Sequence, residues 1–302
     1  MIYICIPVYN RIFFTRNCIK SIKNQCYTDY SIVICDDGST DNTSELVSKE
    51  FPEVIILHGE GDLWWAGATN RCVKYALEKA TPGDYIFTLN NDTEIASNTF
   101  QILINLSKDN PETIIACGNY FINERKKLEA TAFVERGKWP FSLYQRPIFP
   151  WGQDVTKLVN LICEVNSVSG KGVLIPIDVF RKIGLYNSEK LPQYHCDTEF
   201  MRRASNAGFK ILLNLNAIIY TYQNASGIGQ VNSAVNIKEF IRSFSSLRSE
   251  NHLPSLYHRA RLIYDRKWYI YLVANLFSIN IRFIIRYFKM LKIKLQDLFG
   301  SN

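Results

Sequence analysis

No Cys-x-x-Cys pair and no regular framework occurs among the eight cysteines at 5, 18, 26, 35, 72, 117, 163 and 196. Neither a zinc cluster of common spacing nor a disulfide scaffold is therefore expected, and reduced thiols in a cytosolic compartment account for them most simply. Histidine is scarce, four in 302 residues and in no ligand spacing. Internal repeats and low-complexity tracts are absent, and nothing in the composition reads as disordered. The N-terminus opens directly into Ile2-Tyr3-Ile4-Cys5-Ile6-Pro7, without the basic and apolar regions of a signal peptide, so export is not expected. Near the other end, the uninterrupted apolar stretch from Trp268 is about 14 residues, short of the roughly 20 a spanning helix requires.

What is present is 47% hydrophobic residue content, enough to bury one sizeable core. The formal charge is +7, and its location says more than its size. From Tyr257 onward nine basic residues (Arg259, Arg261, Arg266, Lys267, Arg282, Arg286, Lys289, Lys292, Lys294) face only Asp265 and Asp297, so the remainder of the chain is balanced. Basicity confined to one tail points to a local anionic partner. With apolar and aromatic residues interleaved, the tail reads as an interfacial helix on an anionic membrane surface, or as a helix completing the core or a dimer.

Short β-branched runs alternate with helical patterns through the first 120 residues. Ile2–Ile6, Ser31–Cys35, Val54–Leu57 and Tyr85–Leu89 read as buried parallel strands. Phe13–Asn24, Thr43–Phe51 and Gly67–Lys79 read as the helices between them. In the second half, Leu128–Glu135 and Glu164–Pro176 look extended, around a loop at Trp139–Trp151. Helices at Asp178–Ile183 and Asp197–Ala207 precede strands at Lys210–Leu213 and Ala217–Tyr222, so a less regular, mixed sheet is expected there.

In open α/β sheets ligands lie beyond the carboxyl ends of the strands. The residues there are Pro7-Val8-Tyr9-Asn10, Asp36-Asp37-Gly38-Ser39-Thr40-Asp41 and Asn90-Asn91-Asp92. Tyr9 can stack on a base and an adjacent aspartate can accept from a base N–H, although an aspartate after a strand also caps helices. Asp92 with a nearby amide oxygen offers hard ligands to Mg²⁺ or Mn²⁺, although Asn and Asp are also the usual turn formers. Asp197 and Glu199 open a helical pattern, as capping acids or with Asp197 as a general base. His195 beside them is a ligand, an acceptor contact or a plain loop histidine. Gly170-Lys171-Gly172 lets backbone approach a phosphate with Lys171 as counter-charge.

The joint order of these motifs with Cys196-Asp197-Thr198-Glu199-Phe200 resembles family 2 glycosyltransferases of GT-A fold, over roughly residues 1–230. Leu63-Trp64-Trp65-Ala66-Gly67-Ala68-Thr69-Asn70, Ser169-Gly170-Lys171-Gly172-Val173-Leu174-Ile175-Pro176 and Ile183-Gly184-Leu185-Tyr186 resemble the rhamnosyltransferase-type subgroup. The resemblance implies an α/β fold, a Rossmann-like, mostly parallel sheet flanked by helices. It divides into a nucleotide-binding half at 1–120 and an acceptor half at 121–230, followed by a basic amphipathic helical extension at 231–302. It further implies an inverting sugar transfer from a dTDP- or UDP-linked donor, with rhamnose as the subgroup's sugar. The acceptor would be a saccharide or polyprenyl-linked saccharide in cell-surface polysaccharide synthesis, at the inner face of the cell membrane. No nucleic acid partner is expected. Asp197 would be the base; Asp92 and Asn90 would form the metal position. Pro7, Tyr9, Asn10, Asp36, Asp37, Trp65, Asn70, Asn91, Lys171 and Arg203 would surround the donor, and His195 and Glu199 would meet the acceptor or support the residues that do. Asn90 stands where the family has an acid, leaving one formal carboxylate for the metal. A late histidine of the family is Thr221 or Tyr222 here.

Two other classes share parts of this pattern. A nucleotidyltransferase would use the same sheet but needs a glycine-rich phosphate loop after the first strand, and Val8-Tyr9-Asn10-Arg11 contains no glycine. A catalytically impaired, membrane-docked scaffold would keep the sheet and rely on the tail.

Overall fold

The computed structural model describes residues 1–129, 132–135, 145–155, 158, 161–222 and 236–299. Most of the Trp139–Trp151 loop lies outside the described residues. The chain divides into two compact units, Met1–Pro192 with Cys196–Ala225, and Gln193–His195 with Ser226–Asn302.

In the first unit the apolar runs form β1 (Ile2–Val8), β2 (Tyr30–Asp36), β3 (Ile55–His58) and β4 (Tyr85–Thr88). The amphipathic stretches between them form α1 (Ile12–Lys23), α2 (Thr43–Glu50) and α3 (Trp64–Lys79). Next come β5 (Thr93–Ile95), α4 (Thr99–Asp109), β6 (Thr113–Phe121), β7 (Glu124–Leu128) and β8 (Ala132–Glu135). Short strands β9 (Gln145–Pro147), β10 (Gln153–Asp154), β11 (Ile162–Glu164) and β12 (Ser167–Val168) lead to β13 (Val173–Pro176). The unit ends with α5 (Ile177–Ile183), α6 (Cys196–Asn206) and β14 (Lys210–Thr221).

The main sheet has the order β10-β7-β6-β13-β4-β1-β2-β3, with β14 pairing β6, β5 and β11. β1 is parallel to both neighbours, β2 and β4, and is buried on both faces, which is why its sequence is almost continuously apolar. Its Ile2, Ile4 and Ile6 share a core with Phe87, Phe100, Leu103 and Ile115. β13 runs antiparallel between β4 and β6, so the N-terminal end of β13 lies at the rim where β4 ends, beside Ala116 in the middle of β6. The result is a mixed α/β sheet flanked by helices, parallel in its first half. β14 is one strand of 12 residues in place of two, because a register shift against β6 between Asn214 and Ile218 absorbs the interruption.

Asn70, Arg203 and Glu199, among the residues expected at the site, are bonded to other parts of the fold. The Asn70 side chain donates to the Tyr186 carbonyl at 2.8 Å and accepts from the Tyr186 N–H at 3.0 Å, tying α3 to the loop after α5. Arg203 forks onto Glu199 at 2.7 and 2.9 Å and donates to the carbonyls of Ile183 and Leu185. Glu199 is 3% exposed, and its bond with Arg203, whose side chain is partly exposed, anchors α6 to the end of α5.

The second unit contains α7 (Ile237–Ser243), capped by Asn236 through the Lys238 N–H, with α8 (Leu253–Tyr264) and α9 (Trp268–Phe299). Tyr264 stacks on Tyr271, and Phe240 on Phe283, each at 3.9 Å between ring centres. α9 does not stop where its apolar run is first interrupted; it continues through Arg282 and Arg286 for 32 residues, about 48 Å. Trp268–Lys292 is long and apolar enough to cross a membrane by length and composition. One face buries Tyr271, Asn275 and Ile279; another leaves Tyr269, Val273, Phe277, Ile281, Ile284, Ile285 and Phe288 exposed.

His195 belongs to this unit. Its backbone is left-handed (φ 70°), Nδ1 accepts from Arg259 at 3.4 Å and Nε2 lies 2.9 Å from the Glu250 carbonyl. Nε2 therefore carries the proton of a neutral ring. Desolvation, and then the Arg259 charge, lower its pKa from 6.5 to about 3.

Asn70→Ala is expected to destabilise the chain by ~1–3 kcal/mol for each of the two backbone groups it orphans, read as a lower urea midpoint, with nucleotide affinity unchanged. Because the unfolded chain takes a proton on His195 at higher pH than the folded one, its contribution is complete above pH 6.5 and is lost toward pH 3. Thermal midpoints of His195→Gln should fall less steeply than those of the unaltered chain between pH 6.5 and 5.

Candidate active site

The rim formed by the ends of β1, β2, β4 and β6 and the start of β13 gathers the acidic motifs. Asp36, the last residue of β2, builds the turn after it: one oxygen accepts from the Ser39 N–H at 3.0 Å and the other from the Ser44 hydroxyl. That carboxylate holds the turn together. Asn10 ties the β1 loop to the same turn, its amide oxygen accepting from the Thr40 N–H at 2.9 Å and its N–H donating to the Ser39 hydroxyl. Tyr9, beside it, is 50% exposed, whereas Pro7 lies within β1, registered against Cys35.

Asp37 has a different task. One oxygen accepts from the Gly61 N–H at 2.9 Å, the other from the N–H groups of Leu63 and Trp64 at 3.0 Å each. α3 has no side-chain cap of its own, and Asp37 supplies it from another element. Trp64 sits at φ 55°, an uncommon conformation for a bulky residue, and the two N–H bonds around it hold that turn. Gly59 makes room: a Cβ there would lie 2.4 Å from the Asp37 carboxylate. Asp37 is the helix cap that its position allows, although for α3 and not for the following α2.

Trp65 links the remaining groups. Its indole N–H donates to the Asn90 side-chain oxygen at 2.8 Å, and its ring lies so close to Gly170 that a Cβ there would meet it at 2.5 Å. The Gly170 N–H in turn donates to Asp197 Oδ2 at 3.1 Å, while Asp197 Oδ1 accepts from the Thr198 N–H at 2.7 Å in the first turn of α6. A continuous series of contacts thus joins Asp37, Asn90 and Asp197 along one rim.

Asp92 lies on the same loop as Asn90. It is 5% exposed, its Oδ1 has no hydrogen-bond partner, and its Oδ2 is 3.6 Å from Arg11 Nη1. Burial raises its pKa, opposed by the charges of Lys171 and Arg11. An orphaned, buried carboxylate oxygen is a suitable ligand for a hard divalent cation. Among the described residues no group of three or more His, Cys, Asp or Glu is placed to hold a metal. Asp92 thus stands as a lone carboxylate at this position, with Arg11 beside it. Asn91 points elsewhere, donating to the Thr15 hydroxyl at 3.0 Å.

Lys171 Nζ pairs with Glu129 Oε2 at 2.6 Å, and both are largely buried. Glu129 and Arg11 were not singled out from sequence. Arg11 directly follows the Tyr9-Asn10 motif, whereas Glu129 follows the charged strand Glu124-Arg125-Lys126-Lys127 and reads as part of a solvated run. A concavity of about 280 Å³ lies apart from Asp92 and Asp197, lined by Asp36, Gly38, Ser39, His58 and the start of α2.

Comparison with known proteins bears on the family and the fold. The family model described as glycosyl transferase family 2 matches residues 3–162. An uncharacterized glycosyltransferase of Rickettsia typhi is 27% identical over 198 residues, covering 65% of this chain and 56% of that protein. Chondroitin synthase of Pasteurella multocida is 30% identical over 145 residues, 46% of this chain and 14% of the synthase. The chain thus spans little more than half the length of the first of these relatives and a small part of the second. Among solved structures, GalNAc-T7 with UDP, GalNAc and Mn²⁺ superposes with a TM-score of 0.61 at 14% identity, covering 88% of this chain and 48% of that one. TarS of S. aureus gives 0.51 at 14% identity, covering 86% and 42%. These last two establish the fold, that of GT-A glycosyltransferases. Since the family model spans more than half of it, the chain belongs to glycosyl transferase family 2.

Proposed function

We propose that the chain is an inverting glycosyltransferase that moves a sugar from a dTDP- or UDP-linked donor onto a saccharide or polyprenyl-linked acceptor in cell-surface polysaccharide synthesis. The observation that carries this reading is the shared rim, where Trp65 bonds Asn90 and packs on Gly170, and Gly170 bonds Asp197. A relative named chondroitin synthase supports a polysaccharide product, and a fold neighbour holding UDP, GalNAc and Mn²⁺ supports the donor class and the cation. The rhamnose donor rests on the Leu63–Asn70 and Ser169–Pro176 motifs.

In this reading the half-exposed Tyr9 ring stacks on the base. Asp37 Oδ1, which accepts from the Gly61 N–H, keeps a lone pair for the base N–H. A divalent cation on Asp92, Mg²⁺ or Mn²⁺, with Asn90 alongside, would neutralise the departing diphosphate. Lys171 and Arg11 add fixed positive charge beside Asp92. Asp197, held by the Gly170 and Thr198 N–H groups, takes the proton of the acceptor hydroxyl as its oxygen attacks C1 and the nucleoside diphosphate leaves.

The face of α9 carrying Tyr269, Val273, Phe277 and Phe288 is exposed, and Arg282, Arg286, Lys289 and Lys292 are exposed on the same helix. An amphipathic helix with this pairing lies in the plane of an anionic membrane, its apolar face among the acyl chains and its bases at the headgroups. This pairing supports the reading of a chain peripheral to the inner face of the cell membrane.

Asp197→Asn should lower kcat by about 10²–10⁴-fold while nucleotide still raises the thermal midpoint. Full transfer by that variant would remove Asp197 from the base role, and unchanged transfer and donor hydrolysis in both Asp197→Ala and Asp92→Ala would favour the scaffold reading. With vesicles containing phosphatidylserine, the full chain should co-sediment and be released by high salt, whereas a chain ending before Trp268 should stay in solution. Equal sedimentation of both would end the membrane assignment.

A further inference from the structure

One exposed tryptophan takes no part in the chemistry above. Trp151 is 56% exposed, uncommon for so large an apolar side chain, yet its ring is fixed: it packs on the ring of Phe121, itself 3% exposed, at 4.8 Å between centres. The turn that carries it is fastened to the end of β7. The Gln153 N–H donates to the Pro150 carbonyl at 3.1 Å, Gly152 takes φ 75°, and the Gly152 N–H donates to the Leu128 carbonyl at 2.9 Å.

Phe121 lies on a polar face of the sheet. Asn119 and Phe121, two residues and about 7 Å apart along β6, point to the same side. Thr221, registered against Phe121 on β14, donates its hydroxyl to the Asn119 amide oxygen on that side. The Asn119 amide N–H in turn donates to Glu129 Oε2, which also receives Lys171 Nζ at 2.6 Å, and the Glu129 N–H donates to the Asn119 carbonyl at 2.8 Å. Both side-chain bonds fall on Oε2; among the described residues Oε1 receives none. Glu129 is thus held by backbone and side chain with one carboxylate oxygen left to accept. Lys171 directly follows Gly170, whose N–H bonds Asp197, so a short bonded path joins this face to Asp197.

An aromatic face beside a fixed carboxylate oxygen suits a pyranose. One side of such a ring presents polarised C–H groups, which settle on the negative π-face of an indole, while its hydroxyls donate to a carboxylate. We propose that Trp151 and Glu129 Oε1 form a subsite for a pyranose unit of the acceptor, the sugar ring lying on the indole and one hydroxyl donating to Oε1. The sheet order separates this subsite from the donor's base: β7 and β6 lie on one side of β13 and β4, and β1 and β2, which carry Tyr9 and Asp37, on the other. The proposal rests on the reading of Asp197 as the base, which makes the Lys171-Gly170 side the approach of the acceptor.

The test is saturation-transfer NMR of the full chain with the methyl glycosides of L-rhamnose, D-glucose, D-galactose and N-acetyl-D-glucosamine, with UDP or dTDP in the same samples. At least one glycoside should be saturated by the unaltered chain, most strongly at the C–H groups of one ring face. Trp151→Ala should lower affinity for that glycoside about tenfold, and Trp151→Tyr, which keeps an aromatic face, should stay within about threefold of the unaltered chain. Nucleotide signals should be equal in all three proteins, a separation that general loss of structure would not give, and thermal midpoints establish that each is folded. Saturation of none of the glycosides by the unaltered chain, or an equal glycoside signal in Trp151→Ala, would overturn the proposal. The nucleotide signals keep the two readings apart: a chain that saturates a glycoside through Trp151 but neither UDP nor dTDP retains the saccharide subsite and loses the donor assignment.

Discussion

The direction of β13 is the constraint from which the candidate site follows. Because β13 enters antiparallel between β4 and β6, the residues just before it arrive at the rim where the parallel strands end. Gly170 then gives its N–H to Asp197, and Lys171 reaches Glu129 and acts on Asp92. Were β13 parallel to its neighbours, those residues would lie at the opposite edge of the sheet, and Asp197 would lose the contact that joins it to the other acids. The close approach of the Trp65 ring to Gly170 fixes this arrangement laterally, since any side chain at 170 would push the two apart.

Around that rim, adjacent acids of the same type are given opposite tasks by backbone position alone. Asp36 is still within β2 and turns into its own loop, where two hydrogen bonds engage it. Asp37, one residue further, caps α3 with three N–H bonds and holds the left-handed Trp64. The same economy applies on α6, where Asp197 stays at the rim while Glu199, two residues on, is buried against Arg203. Structural anchoring and ligand chemistry are thus interleaved residue by residue.

Much of this was legible in the chain. The runs at β1, β2 and β4 announced themselves because strands buried on both faces need unbroken apolar sequence, and the polar residues after them stood out as breaks. Two levels were not legible. α4 and β6 escaped notice; β6, although buried at all nine positions, has Gly118 and Asn119 breaking its apolar run. The partners of Asn70, Arg203 and Glu129 depend on residues 116, 20 and 42 positions away, and local spacing carries no record of them. A buried brace and a ligand-binding residue look alike in sequence when both are polar residues within the same motif.

The central claim is that one rim receives a nucleotide sugar. A crystal structure of the chain with UDP or dTDP and Mn²⁺ tests it most directly. The account predicts the base against Tyr9, the diphosphate and Mn²⁺ at Asp92 beside Lys171, and the Asp197 carboxylate facing the terminal phosphate. Nucleotide bound elsewhere, for example in the concavity beside His58, with Asp92 and Asp197 untouched, would contradict it.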